Sequence, residues 1–263
     1  MKNHHAIVGQ RAVFCSIGVL MRNLDHKHSH EAIKARLRNG PSISYLRDWI
    51  YGGIDGAVTT FAIVAGVVGA ELSAGIVLIL GVANLLADGF SMAASNYSGT
   101  KAEIDDYKRV RAAEIRHITE HPDGEREEVR QIFLAKGYEG AELDEIVHLV
   151  TSNQDMWLEV MLAEEYGISA VQRSPAKASI ATFWAFVVCG AVPLIPYLFG
   201  LPASAALAAI MTGAVFLAIG AAKSLWSTAS WYVSALETFA IGISAAGLAY
   251  AVGFILKTIV GIA

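Results

Sequence analysis

Residues 46–97 constrain this chain more than any other stretch. They hold two apolar runs joined by a short turn at Glu71, yet Asp55 lies in the first run and Asp88 in the second. Met92 follows Asp88 by one helical turn. A carboxylate at membrane depth costs roughly 2.5–3.5 kcal/mol on insertion scales, so it faces a polar pathway rather than lipid. Asn84, Asp88, Met92 and Asn96 recur every four residues and share one helix face. At 1.5 Å per residue that stripe is about 18 Å long, more than half the hydrocarbon thickness. Asp55, Asp88 and Met92 are therefore the candidate ion path. The two asparagines have a plainer role open to them, bonding to neighbouring helices.

Composition supports a membrane setting. Hydrophobic residues make up 54% of the chain and charged ones only 17%, and the mean hydropathy is +0.46. Lys and Arg concentrate in residues 1–47 and 101–177, leaving only Lys223 and Lys257 beyond. This is the block pattern of a polytopic membrane protein with a polar insert. The net charge of −4 and the lack of a basic patch with interleaved aromatics exclude a nucleic-acid partner. Cys15 and Cys189 give no disulfide framework. The apolar run at residues 12–21 is shorter than the roughly 20 residues a span needs. It also lacks a small-x-small cleavage site, which argues against a signal peptide, and Met21 is an alternative start.

The expected fold is all-α, with a polar cytoplasmic tail (1–45) and two spans within 46–97. A helical metal-binding insert (98–174) and three further spans (175–263) follow. The spans are predicted near residues 49–69, 73–97, 178–199, 203–225 and 234–256. In the tail His26, His28 and His30 alternate, a pattern able to bind metal, although a solvated tail explains it more simply. Residues 31–38 form a short basic helix ended at Gly40-Pro41. Gly52 and Gly56 make a small-xxx-small pair that admits a close neighbouring backbone. Lys223 reads as a snorkelling end residue, and Glu237 is open between that role and a path role. Within the insert, the second-span helix continues to about Glu120, and a second helix covers residues 125–136. Residues 141–166 form one or two helices, kinked near Asn153. The positive-inside rule places tail and insert in the cytosol and the carboxyl terminus outside.

Several donors in the insert sit at helical spacing: Glu114 with His117, Glu125 with Glu128, and Met161 with Glu165. Carboxylate oxygens and imidazole suit Fe2+ or Mn2+, although a charge-rich helical segment has many such pairs by chance. Two Glu-x-x-His matches, Glu114–His117 and Glu145–His148, raise a ferritin-like di-iron site as a rival. The order of the motifs and the short second helix argue against it.

The segments DWIYGGIDGAVTTFAIVAGVVGA (48–70), NLLADGFSMAASNY (84–97), EHPDGEREE (120–128), KGY (136–138) and MWLEVMLAEEYGI (156–168) carry a family resemblance. Through them the chain resembles the vacuolar iron transporter family of plants and yeast and its bacterial relatives, from about Tyr45 to the carboxyl terminus. The resemblance implies a homodimer with five spans per protomer and a cytoplasmic metal-binding domain. It implies export of Fe2+ from the cytosol in exchange for protons, with Mn2+, Zn2+ or Co2+ as further candidates. By position, Asp55 and Met92 match translocation-path residues. Glu114, Glu125, Glu128, Met161 and Glu165 match metal-binding positions, and Glu164 is adjacent. The chain departs from the family at His117, commonly glutamate, and at Leu162, commonly a second methionine. Imidazole ligates only when neutral, so His117 makes binding more sensitive to acid. The insert argues against the nodulin-type branch.

The reading is thus a transporter, not an enzyme. Fe2+ collects at the insert and passes to Met92, whose thioether favours it over the harder Mg2+ and Ca2+. Asp55 alternates between metal and proton. The alternative is a membrane-anchored iron-binding or ferroxidase module without transport. Short loops favour a bacterial plasma membrane, with a vacuolar membrane as the alternative.

Overall fold

A computed structural model describes residues 29–40, 43–169 and 172–261, and within them every regular element is a helix. His26, His28, Cys15 and the 12–21 run lie outside the described residues. Helix α1 (His30–Asn39) opens at Ser29, whose hydroxyl accepts from the Ala32 amide, and closes at Gly40 with φ 68°. It belongs to a different unit from the rest of the described chain, which begins at Ser44.

Five helical segments are long and apolar enough to cross a membrane: Leu46–Gly69, Ala74–Glu120, Pro175–Leu198, Ser204–Trp226 and Trp231–Ile259. The first is helix α2 (Leu46–Gly69), the hub of the bundle, packing against all the others. Half of its apolar window is buried inside the protein against 17% for the last span, which therefore turns most of its surface outward. The bundle core joins Ala57, Phe61, Val64 and Val67 of α2 to Val77, Leu194, Ala208, Phe216 and Ala246. The outward faces carry Leu86, Phe90, Ile241, Leu248 and Ile259, large apolar side chains that only lipid or another apolar surface can cover.

Small residues bring α2 and the third span together. A Cβ added at Gly52 would lie 2.3 Å from the Thr182 carbonyl oxygen, and one at Gly56 would lie 2.3 Å from that of Phe186. Because the obstacle is backbone, neither helix can yield by rotating a side chain. Gly52→Ala and Gly56→Ala are each expected to cost roughly 1–3 kcal/mol, the usual cost of overpacking. Gly66→Ala, whose nearest neighbour would be 3.5 Å away, should unfold in detergent at the wild-type temperature.

The third span begins as helix α7 (Pro175–Ala191). At Pro193 and Pro196 it tightens into a 3-10 turn (Val192–Leu194) and a final short helix α8 (Ile195–Leu198). Each proline removes a backbone donor, and the tighter turn accommodates the loss. The fourth span is mainly α9 (Ser204–Lys223), and the fifth is α10 (Trp231–Val260), longer at both ends than residues 234–256. Lys223, read as a snorkelling end residue, and Glu237, left open between that role and a path role, pair with each other at 3.1 Å. Glu71, in the turn after α2, pairs with Lys257.

The second span is one helix of 47 residues, α3 (Ala74–Glu120). At 1.5 Å per residue it is about 70 Å long, more than twice the hydrocarbon core, so its distal half must stand outside the bilayer. Against that half pack α4 (Pro122–Ala135), α5 (Gly140–Thr151) and α6 (Gln154–Glu164). The break before α4 is narrower than the 121–124 expected, because Pro122 is the first helical residue, where its missing amide costs nothing. Asn153 stops the chain between α5 and α6, its side chain accepting from the Met156 amide at 3.1 Å. The four helices enclose a second core that includes Val110, Ile118, Val129, Val147, Trp157, Met161 and Leu162.

Candidate metal centre and membrane cavity

Glu114 lies between Val110 and Ile118 on the buried face of α3, spaced four residues from each, so the fold carries its carboxylate into an apolar core. The side chain is fully buried, and its oxygens make no hydrogen bond of full geometry among the described residues, although the Glu125 carboxyl and the Tyr166 hydroxyl stand close beside them. Glu125, in the first turn of α4, is also buried, with Oε2 unpartnered. His117 Nδ1 lies 3.7 Å from Glu114 Oε2 and 3.6 Å from Glu125 Oε1. One donor atom from each of Glu114, His117 and Glu125 falls within 4.8 Å of the other two. Buried carboxylate oxygens without donors are costly unless a cation visits them. These donors fit a divalent ion that accepts oxygen and imidazole ligands.

Electrostatics widen the cluster. Burial, followed by the neighbouring Glu114 carboxylate, pushes Glu125 up to about 7. Burial also raises Glu114, and repulsion from Glu165 and Glu128 adds to it. Glu128 is raised by burial and then by Glu125, and Glu165 by burial and then by Glu128. Five acids and bases from three stretches of chain therefore share one field: Glu114, His117, Glu125, Glu128 and Glu165.

Met161 is fully buried in the same core, one turn before Glu165. Leu162 packs there as an ordinary apolar residue, 3% exposed. Glu164 is directed elsewhere, its carboxylate 2.7 Å from Lys136 Nζ, because successive residues on a helix point in different directions. Glu164→Gln is therefore expected to leave Mn2+ binding by the full-length protein in detergent unchanged, whereas Glu165→Gln should weaken it. Calorimetric titration reads both. Tyr166 was missed in the sequence. Burial and then the Glu165 and Glu114 carboxylates push its phenol up to about 12, leaving it a neutral hydroxyl donor beside the cluster. Its only signal was its place after Glu165. The rival di-iron pattern does not assemble, because Glu145 and His148 are exposed while α5 buries Leu143, Val147 and Val150.

Within the bundle, Asp55 and Met92 border one cavity of about 860 Å³, together with Arg47, Tyr51, Val58 and Lys223. Asp88 does not line that cavity. Asn96, one turn beyond Met92, donates to Asp48 Oδ1 at 2.9 Å and to the Thr182 hydroxyl at 2.7 Å. Asp48 Oδ1 also receives Arg173 Nη2 at 2.8 Å. Asp48 and Arg173 were not singled out from sequence. The available signal was that Asp48 stands four residues before Gly52 and seven before Asp55, on the packed face of α2.

A helical bundle with a carboxylate and a thioether on one cavity, continuous with a helical domain outside the bilayer, defines an integral membrane transport protein. The match to the VIT family spans residues 46–254, and the chain belongs to that family. It is 36% identical over 208 residues to vacuolar iron transporter 1 of Eucalyptus grandis, covering 78% of this chain and 84% of that protein. The vacuolar iron transporter of Toxoplasma gondii is 32% identical over 249 residues, 90% of this chain and 80% of its own length. Vacuolar iron transporter 1 of Arabidopsis thaliana is 34% identical over 209 residues, 78% of this chain and 83% of that protein. Members of the family are transporters, not enzymes.

Proposed function

We propose that this protein moves Fe2+ out of the cytosol in exchange for protons, with Mn2+ as a second substrate. The observation that carries the reading is that Asp55 and Met92 border the same cavity within the apolar bundle. Asp55 supplies a carboxylate that can hold a metal ion or a proton, and Met92 a polarisable sulfur that favours Fe2+ over Mg2+ and Ca2+. Glu114, His117, Glu125, Glu128, Met161 and Glu165 form the collecting site, where convergent negative charge raises the local cation concentration. Asp88, one turn before Met92 on the same helix, completes the path. The names of the relatives, all vacuolar iron transporters, support iron as the substrate. In this reading two copies form a dimer, the 98–174 domain is cytoplasmic, and the host is a bacterial plasma membrane.

The test is Fe2+ and Mn2+ flux into proteoliposomes, with and without an imposed pH gradient. The expected result is uptake driven by the gradient, with protons moving the opposite way. Metal flux indifferent to the gradient would remove proton exchange. No flux, with oxygen consumed on adding Fe2+, would establish the ferroxidase module instead.

A further inference from the structure

The geometry points to Asp48 as a cation-relay site between the insert and Met92, occupied by the Arg173 guanidinium as a placeholder that an arriving divalent ion displaces. The inference rests on the reading that the protein moves a divalent metal, and it adds a station and a gate to that path.

Asp48 is only 4% exposed, yet its carboxylate is half used. Oδ1 takes both Arg173 Nη2 and Asn96 Nδ2, while Oδ2 is buried with no partner among the described residues. Arg173 Nε is likewise buried and unpartnered. A structural arginine–carboxylate pair in a protein interior is favoured when it is two-pronged, satisfying both oxygens. A one-pronged pair leaves two polar atoms desolvated without return, which is costly for a contact serving stability alone. The same arrangement suits a carboxylate that exchanges one cation for another.

The cavities give the exchange a direction. A cavity of about 290 Å³ is bordered by Asp48, Met92, Asn96, Glu103 and Arg173. At about 30 Å³ per water it has room for a partly hydrated ion. Met92 also borders the larger cavity that holds Asp55. On the other side, Glu103 and Arg173 also border a third cavity of about 380 Å³ that includes Asp106. The three spaces therefore share walls in series, from Asp106 and Glu103, past Arg173 and Asp48, to Met92 and then Asp55. Arg173 stands at the first shared wall. Its fixed positive charge repels a divalent cation until Asp48 changes partner, and Asp48 Oδ2 offers the hard oxygen that Fe2+ or Mn2+ accepts.

The experiment uses full-length protein in detergent, with Mn2+ binding counted by electron paramagnetic resonance and folding followed by thermal unfolding. Arg173→Gln should bind one Mn2+ more than wild type, at an affinity about tenfold above any wild-type binding at that site. The double variant Arg173→Gln/Asp48→Asn should lose that ion. Equal counts in the single and double variants would overturn the inference. If Arg173→Gln fails to fold, Arg173→Lys, which keeps the charge without the fork, should shift Mn2+ affinity the same way by a smaller factor. No shift would overturn the inference equally.

Flux in proteoliposomes separates a gate from a strut. Asp48→Asn should raise the KM for Mn2+ and Arg173→Gln should lower it. Two variants that break one structural pair would shift it alike. The reversed pair Asp48→Arg/Arg173→Asp restores the contact but not the relay, so it should fold without transporting, and restored flux would overturn the inference. Wild-type protein that carries no metal, beside an extra Mn2+ in Arg173→Gln, would sink the transport reading and leave the Asp48 site standing.

Discussion

Asp55→Ala is expected to abolish pH-gradient-driven Fe2+ uptake into proteoliposomes while the protein keeps its fold. Among the described residues, Asp55 is the one carboxylate bordering the 860 Å³ cavity, whose walls are otherwise largely apolar. Without it the cavity has no group that can replace part of the ion's water shell and also carry a proton back. Asp55→Asn should fail in the same way, because a carboxamide keeps the shape but cannot exchange a metal for a proton. Thermal unfolding near the wild-type temperature separates loss of function from loss of structure. Wild-type uptake by either variant would take Asp55 out of the mechanism. Met92→Leu preserves volume and removes only the sulfur, so Fe2+ uptake should fall more than Mn2+ uptake.

Glu114→Gln/Glu125→Gln is expected to stabilise the metal-free protein above neutral pH while removing its response to metal. The sign follows from the protons. Glu125 is pushed from its ordinary 4.5 up to about 7 by burial and by Glu114, and Glu114 is raised mainly by burial. Between those values the folded state holds more protons than the unfolded one, so stability falls as pH rises through the window and levels off above about 7. Below about 4.5 both states are protonated and no penalty remains. Metal binding needs both carboxylates ionised, so it releases protons, and affinity should drop about tenfold per pH unit below 7 for each proton released. Thermal unfolding at pH 5.5 and 8, with and without Mn2+, reads all of this. Wild type should be more stable at the lower pH without metal, and Mn2+ should raise its unfolding temperature most at the higher pH. The double variant should respond little to either change. A variant that is simply less stable everywhere would make these glutamates ordinary structural residues.

Much of the architecture was legible before any coordinates. Apolar runs of spanning length are a one-dimensional signal, because each must satisfy its backbone internally and can do so only as a helix. The uninterrupted polar continuation of the second span to Glu120 was readable for the same reason, as nothing between Thr100 and Glu120 breaks a helix. The proline-distorted end of the third span, the early start of α4 at Pro122 and the extra length of α10 were not readable to the residue, since capping and neighbour contacts settle helix ends.

The sites divide along the same line. Sequence by itself determined which residues are candidates for the chemistry: acids within apolar runs at Asp55 and Asp88, and the i,i+3 pair Glu114 and His117 on one helix face. These follow from hydrophobicity and helical periodicity, which are local. Only the tertiary structure decided which of them meet. It joined Glu125 of α4 to Glu114 and His117, engaged Glu164 with Lys136, and set Tyr166 beside the acids. It also brought Arg173 to Asp48, 125 residues away in the chain, burying the aspartate and half-burying the arginine. Charge pairs of that separation leave no periodic trace. They form only when packing of the spans removes water from both partners, and that is a property of the assembled bundle.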